Sequence, residues 1–459
     1  MKENNNNNTY IFDDEEWKSC IKVLQALKDN PLENPDNDLF AGLITKIHKN
    51  AKKNIRSVSY TSKKQQDFQV SINATIVSKA LKGETLFSEK ENPEEQQFTE
   101  LNLPKNCYAC NRSYKLAHSF YTRLCPECAE ENYEKRFQNI DLKGRNVILT
   151  GGRVKVGFAT ALKLLRSNAN VVLTTRFPAL ALEQFKLEED FEQWGENLII
   201  YGLDLRNLNA INEFVSFYKS KFDSLDILIN NAAQTIKYPD EYYVPLIRKE
   251  ENLLGEFSVN VHLIANKTQV TSEVKALEYG FEEQTEIALS RFGQPVDNRD
   301  KTSWNSTLEE ISMYELVEVN LINQIAPYFL IKELKPLFLN SAFDERFIVN
   351  VTSSEGIFSY TNKTIFHPHT NMTKAALNMM TLTSAKEFAE DAIFMTSVDV
   401  GWISTGAKES LRKKQFEEGY IPPLDSVDGA SRIFDPIVQG IKGKSIFGVL
   451  LKNYKVSNW

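Results

Sequence analysis

Residues 146–157, NVILTGGRVKVG, join a short apolar run to a glycine-rich turn, and this junction constrains the chain more than any other stretch. Val147 to Leu149 read as a buried strand. Gly151, Gly152 and Gly157 supply the turn, and the apolar spacing from Phe158 to Leu165 predicts the helix that follows. The free N–H groups and positive dipole end of such a helix N-terminus suit a pyrophosphate.

Further strands are predicted at 170–175, 197–202, 226–230, 346–352, 393–399 and 445–451, alternating with helical patterns. That alternation predicts an α/β fold with a doubly wound parallel sheet covered on both faces. At 459 residues, 42% of them hydrophobic, the chain can bury such a core and still hold two or three units. Residues 1–10 read as a disordered Asn-rich tail. Residues 11–83 form a helical region, marked by Trp17, Ile21, Leu24 and Leu27, then Leu39, Leu43 and Ile47. A polar, Glu-rich linker is placed at 84–104, a cysteine module at 105–137, and the α/β domain at 141–459.

A net charge of −7 argues against bulk affinity for nucleic acid. No run approaches the length of a membrane span, and the N-terminus lacks an apolar signal region, so a cytoplasmic protein with no membrane partner is expected. Lys46, Lys49, Lys52, Lys53, Arg56, Lys63 and Lys64 form a basic stretch with no acid among them. It reads either as a nucleic-acid or acidic-partner patch or as a solvated helix face or flexible arm; the second is preferred because no aromatic stacking set accompanies it.

Cys107, Cys110, Cys125 and Cys128 are spaced C-x2-C-x14-C-x2-C. Two such knuckles present four thiolates tetrahedrally to one Zn²⁺, and a four-thiolate site is closed, hence structural. His118 is an alternative ligand or a neighbour of the site. Arg112, Lys115, Arg123, Lys135 and Arg136 make the module basic, which admits an interaction role.

Downstream of the glycine turn come VVLTTRF (171–177), LDL (203–205), LINNAA (228–233), VNL (319–321), VTSSEG (351–356), TNMTKAAL (370–377) and DVGWIST (399–405). This series resembles the short-chain dehydrogenase/reductase superfamily, whose fold is a Rossmann-like doubly wound sheet. The resemblance implies hydride transfer between a nicotinamide cofactor and a small-molecule carbonyl or alcohol. Thr150, Gly151, Gly152, Val156 and Gly157 then line the phosphate turn, in which Lys155 replaces the family's middle glycine. A Cβ at Lys155 crowds the pyrophosphate, although its ammonium can also contact phosphate. Thr175 and Arg176 end the second strand without an acid, and Arg153 sits in the turn; both favour NADP(H). Asp204 is matched to the adenine edge, and Asn231, Ala232 and Ala233 to the cofactor-lining loop. Gly401, Ile403 and Thr405 are matched to the carboxamide and phosphate ends.

The resemblance also assigns Ser353 to the orienting serine, with Ser354 as fallback, Asn320 to the relay asparagine and Lys374 to the lysine. Where the family has tyrosine this chain has Thr370, four residues before Lys374 and so on the same helix face. An aliphatic hydroxyl is a far weaker acid than a phenol. His369, His367 or Tyr360 is therefore a candidate proton donor, with His369 preferred. Between Asn231 and Asn320 lie 88 residues, with an aromatic and acidic insertion at 236–300 containing Tyr238, Tyr242, Tyr243, Phe257, Tyr279, Phe281 and Phe292. A substrate lid over the active-site mouth, or an oligomer contact, is expected there. Trp304, just after the insertion, reads as a buried anchor. The helices at 321–337 and 373–390 correspond to a family dimer face, which predicts a homodimer. The reading is an atypical NADP(H)-dependent oxidoreductase; its rival is a catalytically weak NADPH-binding scaffold using the zinc module for partners.

Overall fold

The computed structural model describes residues 11–81, 96–256, 263–264, 297, 299–360, 363–403, 414 and 422–459. The Asn-rich tail, residues 84–95 of the expected linker, Phe257, Tyr279, Phe281, Phe292 and Thr405 lie outside them. The chain divides into two units, residues 1–68 and 69–459. In the first, α1 (Asp14–Leu27) starts at Asp13, whose side chain accepts from Glu15 and Glu16 while Glu16 reaches back in a capping box. Helix α2 (Asn37–Asn73) carries the basic stretch on fully exposed backbone turns.

In the second unit, α3 (Thr75–Leu81) packs Ile76 and Val77 onto the cysteine module. That module is a hairpin, β1 (Phe98–Asn106) with β2 (Ser113–His118), followed by α4 (Pro126–Arg136). Strand β1 therefore begins inside the stretch expected as linker. Its buried Leu101 joins the module's core, which the polar composition around it conceals.

Next come β3 (Asn146–Thr150), α5 (Lys155–Arg166), β4 (Asn170–Thr175), α6 (Pro178–Lys186), α7 (Phe191–Trp194), β5 (Leu198–Gly202), α8 (Leu208–Lys221) and β6 (Ile227–Asn230). The insertion contributes α9 (Asp240–Glu256) and β7 (Leu263–Ile264). The chain continues with α10 (Met313–Asn320), a π-turn at Leu321–Ile325, α11 (Ala326–Leu339), β8 (Arg346–Thr352), α12 (Pro368–Glu390) and β9 (Ile393–Asp399). It closes with α13 (Ser426–Ile441), β10 (Leu450–Lys452) and β11 (Lys455–Ser457). Strands β3 to β11 form a Rossmann-like sheet in the order β11-β10-β9-β8-β6-β3-β4-β5-β7, parallel except for the β11 edge.

Helices cover both faces, which is why these strands read as unbroken apolar runs. Val147 and Leu149 face a core with Phe158, Leu162 and Phe185 of α5 and α6 and Ile433, Phe434 and Ile437 of α13. Ile148, between them, faces Phe214 and Tyr218 of α8, Leu330 and Leu334 of α11, and Phe388 of α12. The chain winds outward from β3 to β5, returns to β6, places the insertion's β7 outside β5, and then continues on the other side through β8 and β9. The strand order thus reverses beside β3, and a crevice opens at the strands' C-terminal ends. No helix among the described residues is long and apolar enough to cross a membrane.

Candidate active site

The glycine turn is held by the loop after β6. Thr150 Oγ1 accepts the N–H groups of Asn231 and Ala232, each at 3.1 Å. Asn231 Nδ2 donates to the carbonyls of Thr150 and Gly151 at 3.1 and 3.0 Å. Gly151 has φ +69°, and a Cβ there would sit 2.8 Å from Ala232 Cα. A Cβ at Gly157 would lie 2.1 Å from the Gly151 carbonyl oxygen, so only glycine fits. Lys155 has φ +51°, the left-handed conformation that glycine adopts without cost. Its backbone thus keeps the turn that the sequence departure put in question, at a strain of about 1 kcal/mol.

A cavity of about 400 Å³ extends from this turn. Val154, Lys155 and Val156 form one edge; Thr175, Arg176, Asp204 and Ala232 line the rest. The Arg153 guanidinium is buried 5.3 Å from the Phe177 ring centre. Burial first, then the neighbouring Arg176 charge, lowers its pKa to about 10. Arg176 lies 5.6 Å from the Phe177 ring and 4.5 Å from that of Tyr243. Two converging cations at the end of a strand that carries no acid suit an anion such as a phosphate. Asp204 borders the cavity, but its carboxylate is held by Arg206, which also reaches Glu318 at 3.3 Å. Burial opposes ionisation of Asp204, and the Arg206 hydrogen bonds outweigh it, leaving its pKa below the usual carboxylate range.

The described part of the insertion borders the cavity. Helix α9 packs on α6 through Phe177, Leu180, Leu246 and Ile247, and Tyr238, Tyr242, Tyr243 and Leu246 wall the cavity. Tyr238 and Tyr242 stack at 3.9 Å. Both carboxylate oxygens of buried Glu250 accept N–H groups at the start of α6, from Ala179 at 2.7 Å and Leu180 at 2.8 Å. An acid at a helix N-terminus is favourable, yet burial still raises its pKa to about 7. This segment is a wall beside the two arginines, reached through a tertiary latch that no local pattern announces.

Beyond β8, Ser353 precedes a turn at Ser354–Gly356 that lies flat on α12: a Cβ at Gly356 would come within 2.7 Å of the Lys374 carbonyl carbon. Lys374 is buried, donates to the Val351 carbonyl at 2.8 Å, and is lowered by burial to about 8. One turn earlier, Thr370 is buried and its Oγ1 has no hydrogen-bond partner. His369 Nε2 lies 3.3 Å from Glu315 Oε1 on α10. The His367 ring stacks on Trp304 at 4.3 Å, and its Nδ1 meets the Trp304 carbonyl at 2.8 Å. The Tyr360 ring covers Lys452 Nζ at 5.3 Å. Each surrogate donor named from the sequence therefore has a packing or pairing role.

Asn320 turns into its own helix, donating to the Leu316 carbonyl at 2.7 Å and accepting from Gln324. The π-turn instead brings in Asn323, which the sequence reading missed. Fully buried, Asn323 accepts from Gln234 N at 2.8 Å and donates to Gln234 O at 3.1 Å and Thr373 Oγ1 at 3.0 Å. It ties the loop carrying Ala233 to the helix carrying Thr370 and Lys374. The available signal was a second asparagine three residues before the Ala326–Pro327 helix start. Asp399 was also missed: at the end of β9 it accepts from Ser354 Oγ and Gly401 N, both at 2.9 Å. Lys452 donates to the same Ser354 hydroxyl at 2.9 Å. Gly401 has φ +85°, and Ile403 packs against Gly429 of α13.

The four sulfurs of Cys107, Cys110, Cys125 and Cys128 lie within 4.8 Å of one another. Tetrahedral Zn–S bonds of about 2.3 Å place sulfurs about 3.8 Å apart, so the cluster fits that ion. Arg112 donates to Cys110 Sγ at 3.3 Å. His118 is no ligand: its Nδ1 accepts from Phe120 N at 2.8 Å, and Nε2 meets Gln96 at 3.1 Å. Part of the module's basic surface faces inward. Arg136 pairs with Asp425 at 2.7 Å and Asp428 at 3.0 Å, and Lys135 with Asp435 at 2.5 Å. Tyr108, next to Cys107, accepts the Trp402 N–H at 2.8 Å, so the module abuts the segment after β9.

A family model described as short chain dehydrogenase matches residues 145–268. An uncharacterized protein of Acanthamoeba polyphaga mimivirus is 30% identical over 344 residues, covering 72% of this chain and 71% of that protein. Salutaridine reductase of Papaver bracteatum is 27% identical over 281 residues, covering 60% and 75%. The match to (+)-neomenthol dehydrogenase of Capsicum annuum, 30% identical, covers 23% of this chain and 38% of that one. Among solved structures, an NADPH-bound carbonyl reductase from chicken fatty liver shares 19% identity with a TM-score of 0.43, over 69% of this chain and all of that one.

Proposed function

Because this chain belongs to the short-chain dehydrogenase/reductase superfamily, we propose that it is an NADP(H)-dependent oxidoreductase of a small-molecule carbonyl or alcohol, working without the family's tyrosine. The observation that carries this reading is the pairing of a glycine turn that admits phosphate with Arg153 and Arg176 beside it. The turn and the start of α5 would hold the pyrophosphate, and the two arginines the 2′-phosphate. The nicotinamide would supply or accept the hydride.

Ser353 orients the substrate oxygen. Thr370 Oγ1, buried without a partner, offers a hydrogen bond beside it but does not titrate near neutrality. The group here that does is Lys374, lowered by burial to about 8. Its ammonium holds the proton that reaches the substrate oxygen, with Thr370 as bridge, and Asn323 fixes the two elements that align them. The four cysteines would hold a structural Zn²⁺. Exposed Tyr328, Met372, Met379 and Leu382 on α11 and α12 support a homodimer through those helices.

A second reading, binding without turnover, is favoured by Thr370 and by the engagement of His367 and His369 elsewhere. One experiment separates them: calorimetric NADPH binding, followed by NADPH oxidation on a carbonyl panel. Binding with turnover supports the enzyme, binding without turnover the scaffold, and no binding removes both.

A further inference from the structure

Residues 39–64 of α2 hold seven cations and no acid, and they also hold an apolar face. Counted from Leu39 at 100° per residue, Leu39, Leu43, Ile47, Val58, Ile44 and Ile55 fall within an arc of roughly 160°. Lys52, Lys63, Arg56, Lys49, Lys53, Lys46 and Lys64 fall within the opposite arc of roughly 120°. Leu39, Leu43, Ile47, Ile55 and Val58 are each more than half exposed, so none of the described residues covers these positions of the apolar arc. Two opposed faces demand a partner that is both anionic and apolar. Nucleic acid satisfies the cations and leaves the apolar arc in water. A second copy covers the apolar arc while bringing two sets of like charges together, at a cost. A bilayer of anionic phospholipid answers both faces at once: the acyl boundary takes the apolar arc and the headgroups take the lysines.

We infer that residues 39–64 are an interfacial helix that lays the N-terminal unit on an anionic phospholipid surface without crossing it. Seven cations make the association salt-dependent, and the apolar arc keeps it from being purely electrostatic.

Full-length protein is to be co-sedimented with phosphatidylcholine vesicles with and without phosphatidylserine. Leu43→Glu/Ile47→Glu and Lys49→Glu/Lys52→Glu/Lys53→Glu serve as variants; all five sites are exposed, so unchanged thermal unfolding is expected. The wild type should sediment at least about tenfold more strongly with phosphatidylserine present, and each variant should lose at least about tenfold. Three results overturn the inference. The first is no sedimentation with either vesicle. The second is retention on RNA that survives Leu43→Glu/Ile47→Glu. The third is a dimer in sedimentation velocity that this variant dissolves, with no lipid binding.

Discussion

The glycine turn and the segment around Thr370 depart from the family pattern in opposite ways. At the phosphate end, Lys155 stands for a glycine, and the backbone still adopts φ +51°. Around Thr370, the residue matched to the family's tyrosine, the two neighbouring histidines are engaged elsewhere: His369 faces Glu315 and His367 stacks on Trp304. A position defined by backbone shape absorbs a foreign side chain for about 1 kcal/mol of strain. A position defined by proton chemistry cannot, because no rearrangement brings an aliphatic hydroxyl near neutrality.

The sharpest attempt to break that contrast is Gly157→Ala. Its methyl would lie 2.1 Å from the Gly151 carbonyl oxygen, with only backbone to yield. NADPH affinity measured by calorimetry should fall at least about a hundredfold, roughly 3 kcal/mol. Unchanged affinity would mean that the turn does not hold the phosphates. Next, Lys374→Met should lower kcat about a hundredfold or more. In the wild type, carbonyl reduction should decline as pH rises through about 8, where the Lys374 ammonium loses its proton. A pH-independent rate would remove Lys374 from proton transfer.

At the phosphate end, Arg176→Ala should weaken NADPH at least about tenfold while sparing NADH. Tyr243→Ala, which removes the ring 4.5 Å from that guanidinium, should weaken NADPH by a few-fold, about 1 kcal/mol. Equal losses for both cofactors would make the α9 wall merely structural. The remaining effect concerns stability rather than binding or rate. Glu250 titrates near 4.5 unfolded and about 7 folded, so the native state binds its proton more tightly. Stability should therefore fall as pH rises from about 4.5 to 7, by about 3 kcal/mol in total, and level off above. Thermal unfolding of Glu250→Gln should lack this decline; an unaltered profile would deny the latch its charge.

Much of the sheet was legible because strands buried on both faces must be apolar throughout. The runs at 146–150, 170–175, 346–352 and 393–399 match the observed strands residue for residue. The last strand does not: β10 spans only Leu450–Lys452, since the apolar residues before it pack as loop. What eluded the sequence depends on contacts between distant segments. Asn323 bonds to Gln234 and Thr373 from within a π-turn at Leu321–Ile325 that no local pattern announces. Asp399 matters because β8, β9 and β10 end side by side. Helix α9 became a cavity wall through Glu250, 70 residues from its partner Leu180.

The most direct test of the contrast is to measure NADPH affinity and carbonyl-dependent NADPH oxidation side by side for the wild type and Thr370→Tyr. The account predicts NADPH affinities within about twofold and oxidation at least about tenfold faster in the variant, because a phenol beside Lys374 restores a titratable donor. It would be contradicted by a wild type that binds no NADPH, or by a variant that binds as well and turns over no faster.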